Sequence, residues 1–227
     1  MREIVLDTET TGLDPFTGDR IVEIGAVELL NHMPTGETFH QYINPQRDMP
    51  AGAFAVHGLS AEFLSDKPLF AAVAQEFLDF IKDSRLIIHN ASFDMKFLNA
   101  ELDWCSHPQI PMRQALDTLA IARKKYAGAQ NSLDALCRRF GIDNSSRTLH
   151  GALLDSEILA EVYLELIGGR QPDFALKLVH NTGKNSPSGD FIPPSRPKPL
   201  SKRLTPKEKA AHDTFIKELG GETLWER

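Results

Sequence analysis

The chain has 227 residues, of which 41% are apolar and 25% are charged, and its formal net charge is -6. This composition provides for one good-sized core plus an appendage. The net negative charge argues against a broad basic surface that binds duplex DNA by neutralising phosphates alone. Cys105 and Cys137 are the only cysteines, too few for a disulfide framework or a zinc site. Because we see neither a signal-peptide core nor the roughly 20 apolar residues of a membrane span, we expect a cytoplasmic protein with no membrane partner.

Three segments near the N-terminus are short and rich in apolar and β-branched residues. Glycine and proline turn signals separate them, which predicts three successive strands paired as an antiparallel meander. The segments are Glu3–Asp7, Arg20–Leu30 and Thr38–Ile43.

Helical patterns follow the meander. Between Phe70 and Ile81, apolar residues recur at i, i+3, i+4 and i+7, which predicts an amphipathic helix. Strands followed by alternating helices indicate an α/β or α+β layered domain. The other predicted elements are a buried strand at Leu86–Ile88 and helices from about Ser92 to Asp103, from Leu133 to Phe140 with Asn131 or Ser132 as N-cap, and from about Gly151 onward.

The composition changes in the last quarter of the chain. Residues 171–227 contain 10 Lys and Arg against 7 Asp and Glu, whereas residues 1–170 contain 15 against 24. Residues 181–204 are rich in proline, serine, glycine and lysine with few apolar side chains, so they cannot bury enough surface to offset their ordering entropy. This composition predicts a flexible linker.

A short helix is predicted after the linker. Thr205-Pro-Lys-Glu208 combines a capping box with proline at the first helical position. Phe215 and Leu219 then lie on one face. Because a helix of about 15 residues is marginal alone in water, we expect this helix to fold against another protein.

Four acidic residues suggest a metal site. Asp7 and Glu9 end the first apolar run, and in a strand both point to one face while Thr8 points to the other. Asp94 and Asp155 are the other two acids. Oxygen ligands without thiolates suit hard cations such as Mg²⁺ or Mn²⁺, and four clustered acids are stable mainly when a cation neutralises them. The acids therefore predict a metal-dependent phosphodiesterase.

Three motifs resemble those of a known family. They are Asp7-Thr-Glu9-Thr-Thr-Gly12, Asn90-Ala-Ser-Phe93-Asp94, and His150 five residues before Asp155. In order and spacing they resemble the exonuclease motifs of the DEDDh group. The resemblance covers about residues 1–170. It implies an α/β domain of ribonuclease H-like fold, with a mixed sheet of about five strands flanked by helices, followed by a flexible C-terminal tail.

The resemblance also implies roles for the motif residues. It implies a 3'–5' exonuclease with His150 as the general base and two divalent cations, Mg²⁺ or Mn²⁺, held by Asp7, Glu9, Asp94 and Asp155. Five residues span about 140° around a helix, so we place His150 in the loop before the helix that carries Asp155. Phe93 suits either stacking on a base or a core position. The residues expected to hold the terminal nucleotide are Thr8, Glu9, Gly12, His57, Asn90, Phe93 and Asp155.

Within this group the chain resembles the proofreading epsilon subunits of bacterial DNA polymerase III. The similar segments are Ala55-Val-His57-Gly-Leu59 and Asp66-Lys-Pro68. This resemblance implies that the substrate is a single-stranded or frayed DNA 3' end and that the products are 5'-dNMPs. It also implies the polymerase alpha subunit as a partner, and it leaves open two further partners, the sliding clamp and a small accessory subunit.

Two segments of the tail are candidates for partner binding. Residues 171–180 resemble a clamp-binding peptide, and an ordinary linker start fits them nearly as well. Residues 205–227 resemble the segment that attaches epsilon to alpha, and a buried aromatic and aliphatic cluster there is the usual form of an interface anchor. The candidate contacts are Gln171, Phe174 and Leu176 in the first segment and Phe215, Leu219 and Trp225 in the second.

Two other functions stay open on the sequence. An RNA exonuclease on the same scaffold is one, because the choice between RNA and DNA depends on room or partners for a 2'-hydroxyl. A non-catalytic subunit that only stabilises a polymerase is the other. The complete set of four acids and one histidine argues against this last reading.

Overall fold

The computed structural model describes residues 1–145, 147, 149–168 and 205–219. The chain divides into two compact units, one containing the described residues up to Gly168 and the other containing residues 205–219. Several tail predictions lie outside the described residues: the linker 181–204, the segment 171–180 with Gln171, Phe174 and Leu176, and Trp225.

The first unit is built on a mixed sheet of five strands. The strands are β1 (Arg2–Thr10), β2 (Ile21–Leu30), β3 (Met33–Tyr42), β4 (Arg85–Ile88) and β5 (Ala115–Asp117). Their order is β3-β2-β1-β4-β5. The first three strands pair antiparallel, and β4 pairs parallel with both β1 and β5. The predicted meander and the predicted fourth strand are confirmed.

The hairpin between β2 and β3 corrects one predicted boundary. The turn lies at Asn31 and His32, which both have positive φ, as the tightest hairpin turns require. Strand β3 therefore begins at Met33, before the predicted start at Thr38. Strand β1 also extends past its predicted end, because its pairing with β2 continues to Thr10. Glu9 consequently lies within a strand.

Helices cover both faces of the sheet. The helices predicted from periodicity are confirmed, and Ser132 is the N-cap of one of them because its hydroxyl accepts from the Ala135 N–H. Three short helices (Ala51–His57, Ala61–Leu64 and Thr118–Lys125) and the position of the three-residue strand β5 were not predicted. The helices are α1 (Ala51–His57), α2 (Ala61–Leu64), α3 (Phe70–Ile81), α4 (Ala91–Trp104), α5 (Thr118–Lys125), α6 (Leu133–Phe140) and α7 (Ala152–Leu166).

Alternating side chains of β1 belong to two separate cores. Ile4 and Leu6 pack with α3 and α4 on one face. Val5 packs with α6 and α7 on the other. Because successive strand residues point to opposite faces, the same alternation carried along β1 directs Thr8 toward the α4 layer and directs Asp7 and Glu9 toward the α7 layer.

Gly25 brings α7 against the sheet. It pairs with Asp7 across the β1–β2 ladder, and a Cβ atom at this position would lie 2.1 Å from the backbone nitrogen of Leu153 and 2.4 Å from the carbonyl oxygen of Ala152. The Ser156 hydroxyl donates to the Gly25 carbonyl at 2.9 Å. The absence of a side chain at Gly25 therefore sets how closely the first turn of α7 approaches β1.

The second unit contains the predicted C-terminal helix, α8 (Pro206–Leu219). The Thr205 backbone N–H donates to Glu208 at 2.8 Å, and the Glu208 N–H donates to the Thr205 hydroxyl at 3.3 Å. The predicted capping box is thereby confirmed. Phe215 is exposed. None of the described helices has the length and apolar character that a membrane crossing requires.

Candidate active site

The four predicted metal ligands line one cleft of about 350 Å³. Asp7 and Glu9 come from the end of β1, Asp94 from the first turn of α4, and Asp155 from the first turn of α7. Three of these acids are buried, with 7% of Glu9 and 3% each of Asp94 and Asp155 exposed. Asp7 is partly exposed. The prediction that these side chains share one cavity is confirmed.

Thr8 links strand β1 to helix α4 beside the cleft. Its backbone N–H and its hydroxyl both donate to Oδ1 of Asp94, at 3.1 and 2.7 Å. The hydroxyl thus points to the α4 side, as the strand alternation predicts. Two hydrogen bonds to one carboxylate oxygen favour the ionised form of Asp94. Burial opposes them more strongly and raises the pKa of Asp94 to about 7.

Desolvation also raises the pKa values of Asp7 and Glu9, the two acids of β1. The pKa of Asp7 lies well above its ordinary value because the group is desolvated and because Asp94, Glu9 and Asp155 place negative charge beside it. Desolvation, followed by the charges of Asp155 and Glu23, raises the pKa of Glu9 to about 8. Without a cation, ionising all of these carboxyl groups together is therefore unfavourable.

The donor set fits a hard divalent cation. Ligand atoms of Glu9, His150 and Asp155 all lie within 4.8 Å of one another, with Asp7 and Asp94 in the same cleft. Clustered carboxylates whose ionisation costs free energy are the groups that a bound cation stabilises. The raised pKa values of Asp7, Glu9 and Asp94 agree with this fit.

His150 enters the cleft from the loop before α7, as predicted. Gly151 is the N-cap of that helix, and the His150 backbone N–H donates to the Val56 carbonyl at 3.1 Å. Nδ1 of His150 lies 3.5 Å from Oδ2 of Asp155, and 47% of the His150 side chain is exposed. Desolvation and the nearby Arg147 charge lower the pKa of His150. These effects favour the neutral imidazole, which is the form that accepts a proton.

Arg147 and Asp134 also line this cleft, and neither was predicted to belong to the site. Arg147 donates from Nε and Nη2 to the two carboxylate oxygens of Asp155 and from Nη1 to Asp134 at 2.9 Å. Its Nη2 also lies 2.8 Å from Nδ1 of His150. In the sequence, only the proximity of Arg147 to the third motif indicated that it belongs to the site. A loop has no periodicity from which the direction of a side chain can be predicted.

Asn90 and Phe93, predicted to hold the terminal nucleotide, also line the cleft. Asn90 adopts the left-handed conformation with φ 72°, a region that Asn tolerates, and its backbone N–H donates to Asp117 at 3.1 Å. Phe93 lies against Phe97 with ring centroids 5.1 Å apart. One side of Phe93 packs on the core and another faces the cleft, and stacking on a base stays a prediction.

His57 and Gly12 are not among the residues that line the cleft in the described part of the chain. Nδ1 of His57 accepts from the Leu59 N–H at 3.0 Å, and burial lowers its pKa. Gly12 lies against Asp19, whose carboxylate would collide with a Cβ atom at this position. Contact of either residue with substrate stays a prediction.

A family model described as Exonuclease matches residues 4–163. This range contains every residue of the cleft, and the chain belongs to that family. Exonucleases of this type use divalent metal ions, in agreement with the clustered ligand atoms.

The chain is also similar to individual replication proteins. It is 59% identical over 179 residues to DNA polymerase III subunit epsilon of Rickettsia felis, covering 78% of each chain. It is 45% identical to the subunit of the same name from Escherichia coli K12, covering 99% of this chain and 97% of the relative. Within the exonucleases, it belongs with the epsilon subunits of bacterial DNA polymerase III.

Solved structures share the fold. The nuclease domain of 3'hExo, a DEDDh family member, aligns with a TM-score of 0.64 at 20% identity over 74% of this chain and 92% of that one. Exonuclease I aligns with a TM-score of 0.66 at 21% identity over 75% of this chain and 41% of that one. The predicted ribonuclease H-like fold is confirmed.

Proposed function

We propose that this protein proofreads DNA synthesis by hydrolysing the 3'-terminal phosphodiester of single-stranded or frayed DNA and releasing 5'-dNMPs. The carrying observation is the convergence of four carboxyl groups and His150 on one cleft. The similarity to epsilon subunits supports DNA as the substrate.

The proposed roles are those that the resemblance to the family implies, and the positions of the side chains in one cleft support them. Asp7, Glu9, Asp94 and Asp155 would hold two divalent cations, Mg²⁺ or Mn²⁺. When bound, these cations supply charge neutralisation at the phosphate and at the leaving oxygen. His150 accepts the proton of the attacking water as the new oxygen–phosphorus bond forms. The bond from phosphorus to the 3'-oxygen of the penultimate nucleotide breaks, and that oxygen leaves and is protonated.

Other residues hold the terminal nucleotide in this proposal. Phe93 presents an aromatic face at the cleft, and stacking on such a face tolerates any base, which a proofreading enzyme requires. Asn90 lies exposed at the same rim. The remaining proposed substrate contacts are Thr8, Glu9, Gly12, His57 and Asp155.

The catalytic proposal is tested with a labelled primer that carries a 3' mismatch, run beside its RNA equivalent, with and without Mg²⁺. We expect Mg²⁺-dependent removal of DNA nucleotides one at a time from the 3' end. Asp7→Ala and Asp155→Ala should abolish it while the far-UV circular dichroism spectrum is unchanged, whereas Asp83→Ala, an exposed acid outside the cleft, should cut normally. Full activity in either cleft variant contradicts the proposal. Faster digestion of RNA supports the RNA exonuclease instead.

For the tail, we propose that residues 205–227 attach the nuclease to the polymerase alpha subunit in the cytoplasm. Exposed Phe215 on α8 supports this role, together with Leu219 and Trp225 from the sequence. Residues 181–204 would then act as a linker that raises the local concentration of the nuclease near the primer end. Residues 171–180 would contact the sliding clamp, and a small accessory subunit would bind the exonuclease domain, residues 1–170.

The tail proposal is tested by co-purification with the alpha subunit. Truncation after Pro206 should abolish retention while digestion of free oligonucleotides is unchanged. Phe215→Ser should weaken retention, and Thr214→Ser on the same helix serves as the control. Retention of the truncated chain would place the alpha contact elsewhere.

A further inference from the structure

A positively charged side chain, that of Arg147, lies among the acids of the cleft. The Arg147 side chain is only 7% exposed, and its guanidinium engages both oxygens of Asp155 in a two-point arrangement. Such paired hydrogen bonds between charged groups are among the strongest that side chains make. Arg147 therefore has a defined position beside Asp155 while no cation binds that carboxylate.

The same carboxylate is needed by a divalent cation. Asp155 is one of the groups whose ligand atoms lie within 4.8 Å of one another. A metal ion that binds an Asp155 oxygen takes lone pairs toward which the guanidinium N–H groups are aimed. It also meets a positive charge, which repels it. Arg147 and a divalent cation are thus alternative partners of Asp155.

Asp134 provides a second anchor for the guanidinium. Its Oδ1 accepts from Nη1 of Arg147 at 2.9 Å and from the Asn144 side-chain amide at 3.0 Å. The Asp134 carboxylate is 43% exposed and lines the same cleft. Arg147 can therefore release Asp155 without losing every charged partner.

We propose that Arg147 is a positioning residue that competes with a divalent cation for Asp155 and thereby lowers the metal affinity of the cleft. This inference rests on the proposed function, because it requires that the cleft bind metal. Arg147 neutralises Asp155 before a cation binds, and it shifts toward Asp134 when one does.

The first test is calorimetric titration of the full chain with Mn²⁺ alone, without DNA. Arg147→Gln should bind Mn²⁺ at least about tenfold more tightly, because removing one positive charge about 5 Å from a divalent ion has an effect of this order even at the dielectric constant of water. Lys124→Gln has the same charge change on the exposed last turn of α5 and should bind like the wild type. Equal or weaker binding by Arg147→Gln overturns the inference.

Thermal melting adds a readout that a general packing role would not produce. In EDTA, Arg147→Gln should melt at a lower temperature than the wild type, because the acids lose their internal counter-charge. Saturating Mn²⁺ should remove most of that difference. A deficit of the same size with and without Mn²⁺ would identify a merely structural residue and overturn the inference.

If Arg147→Gln fails to fold, an NMR titration of the wild-type protein tests the inference instead. The Nε–H signal of Arg147, identified by its absence in Arg147→Lys, should shift saturably when ¹⁵N-labelled protein is titrated with Mg²⁺. An unchanged signal at saturation overturns the inference. If the wild type binds neither Mn²⁺ nor Mg²⁺, the proposed function itself fails, and calorimetry distinguishes that outcome from an Arg147 that does not compete.

Discussion

Gly25 of β2 and Leu153 of α7 approach so closely that a methyl group on Gly25 would lie 2.1 Å from the Leu153 backbone nitrogen. The pair joins two parts of the catalytic cleft. Gly25 is opposite Asp7 in the strand ladder, and Leu153 precedes Asp155 by two residues. The distance between Asp7 and Asp155, the first and last acids of the cleft, therefore depends on the absence of one side chain.

Substitution Gly25→Ala should displace α7. Overpacking costs about 1–3 kcal/mol of the free energy of unfolding, and the backbone contact at Gly25 leads us to expect the upper end. A displacement of about 1 Å at Asp155 should lower turnover about 100-fold. Chemical denaturation and primer digestion measure the two effects. Gly52→Ala, where no atom lies within 4 Å of the added Cβ, should leave both unchanged. Full activity of Gly25→Ala would contradict this account.

Substitution Thr8→Val should weaken the contribution of Asp94. It removes a hydroxyl that donates to Asp94 at 2.7 Å and therefore raises the already elevated pKa of Asp94 further. At a pH below the pKa of Asp94, each unit by which that pKa rises lowers the ionised fraction of Asp94 about tenfold. More Mg²⁺ should therefore be needed for half-maximal activity. The deficit should shrink as pH rises. Thr35→Val, at an exposed position, is the control. A Mg²⁺ requirement equal to that of the wild type would show that Thr8 does not tune Asp94.

Stability in EDTA should fall as pH rises. The pKa of Glu9 is raised from 4.5 to about 8, and that of Asp94 from 3.8 to about 7. In this range the folded protein binds more protons than the unfolded chain, so the free energy of unfolding decreases with pH. The loss should begin near pH 4 and be complete above about pH 8.

Melting temperatures across this pH range measure the effect. Saturating Mg²⁺ should flatten the curve, because bound cations stabilise the ionised acids. Glu9→Gln should reduce the pH dependence in EDTA, whereas the exposed Glu76→Gln should leave it unchanged. A wild-type melting temperature that rises between pH 5 and pH 8 in EDTA would contradict the sign of these shifts.

Substitution His150→Ala should lower turnover by about 100- to 10,000-fold, the usual contribution of an acid–base group. The four carboxyl groups remain, so Mn²⁺ should still stabilise the variant against heating. Because the pKa of His150 is lowered, the acidic limb of the wild-type rate profile should have its midpoint below about pH 6.5. His107→Ala, outside the cleft, should be normal. A loss of less than about tenfold would assign the proton transfer to another group.

Much of the site followed from sequence periodicity. Strand alternation predicted that Asp7 and Glu9 share a face while Thr8 faces away, and both features are present. Helical geometry placed His150 in the loop, where Gly151 caps α7. These predictions from local patterns were correct because the position of each residue in or beside a strand or helix sets the direction of its side chain.

Other features depend on tertiary contacts that no local pattern encodes. Strand β5 has three residues and is defined by its pairing with β4, and the side chain of Arg147 is directed by Asp155 and Asp134 across a loop. Gly25 did carry a signal, since a glycine within an apolar strand often marks a close backbone approach. The partner roles of the tail stay predictions.

The acids of the cleft come from distant parts of the chain, and this has a consequence during synthesis. Three of the acids emerge from the ribosome well before Asp155, which is supplied by the last helix of the first unit. Domains fold as their segments become available. A nascent chain, or a fragment that ends before α7, therefore lacks one of the four proposed metal ligands, and we expect no nuclease activity until this helix docks.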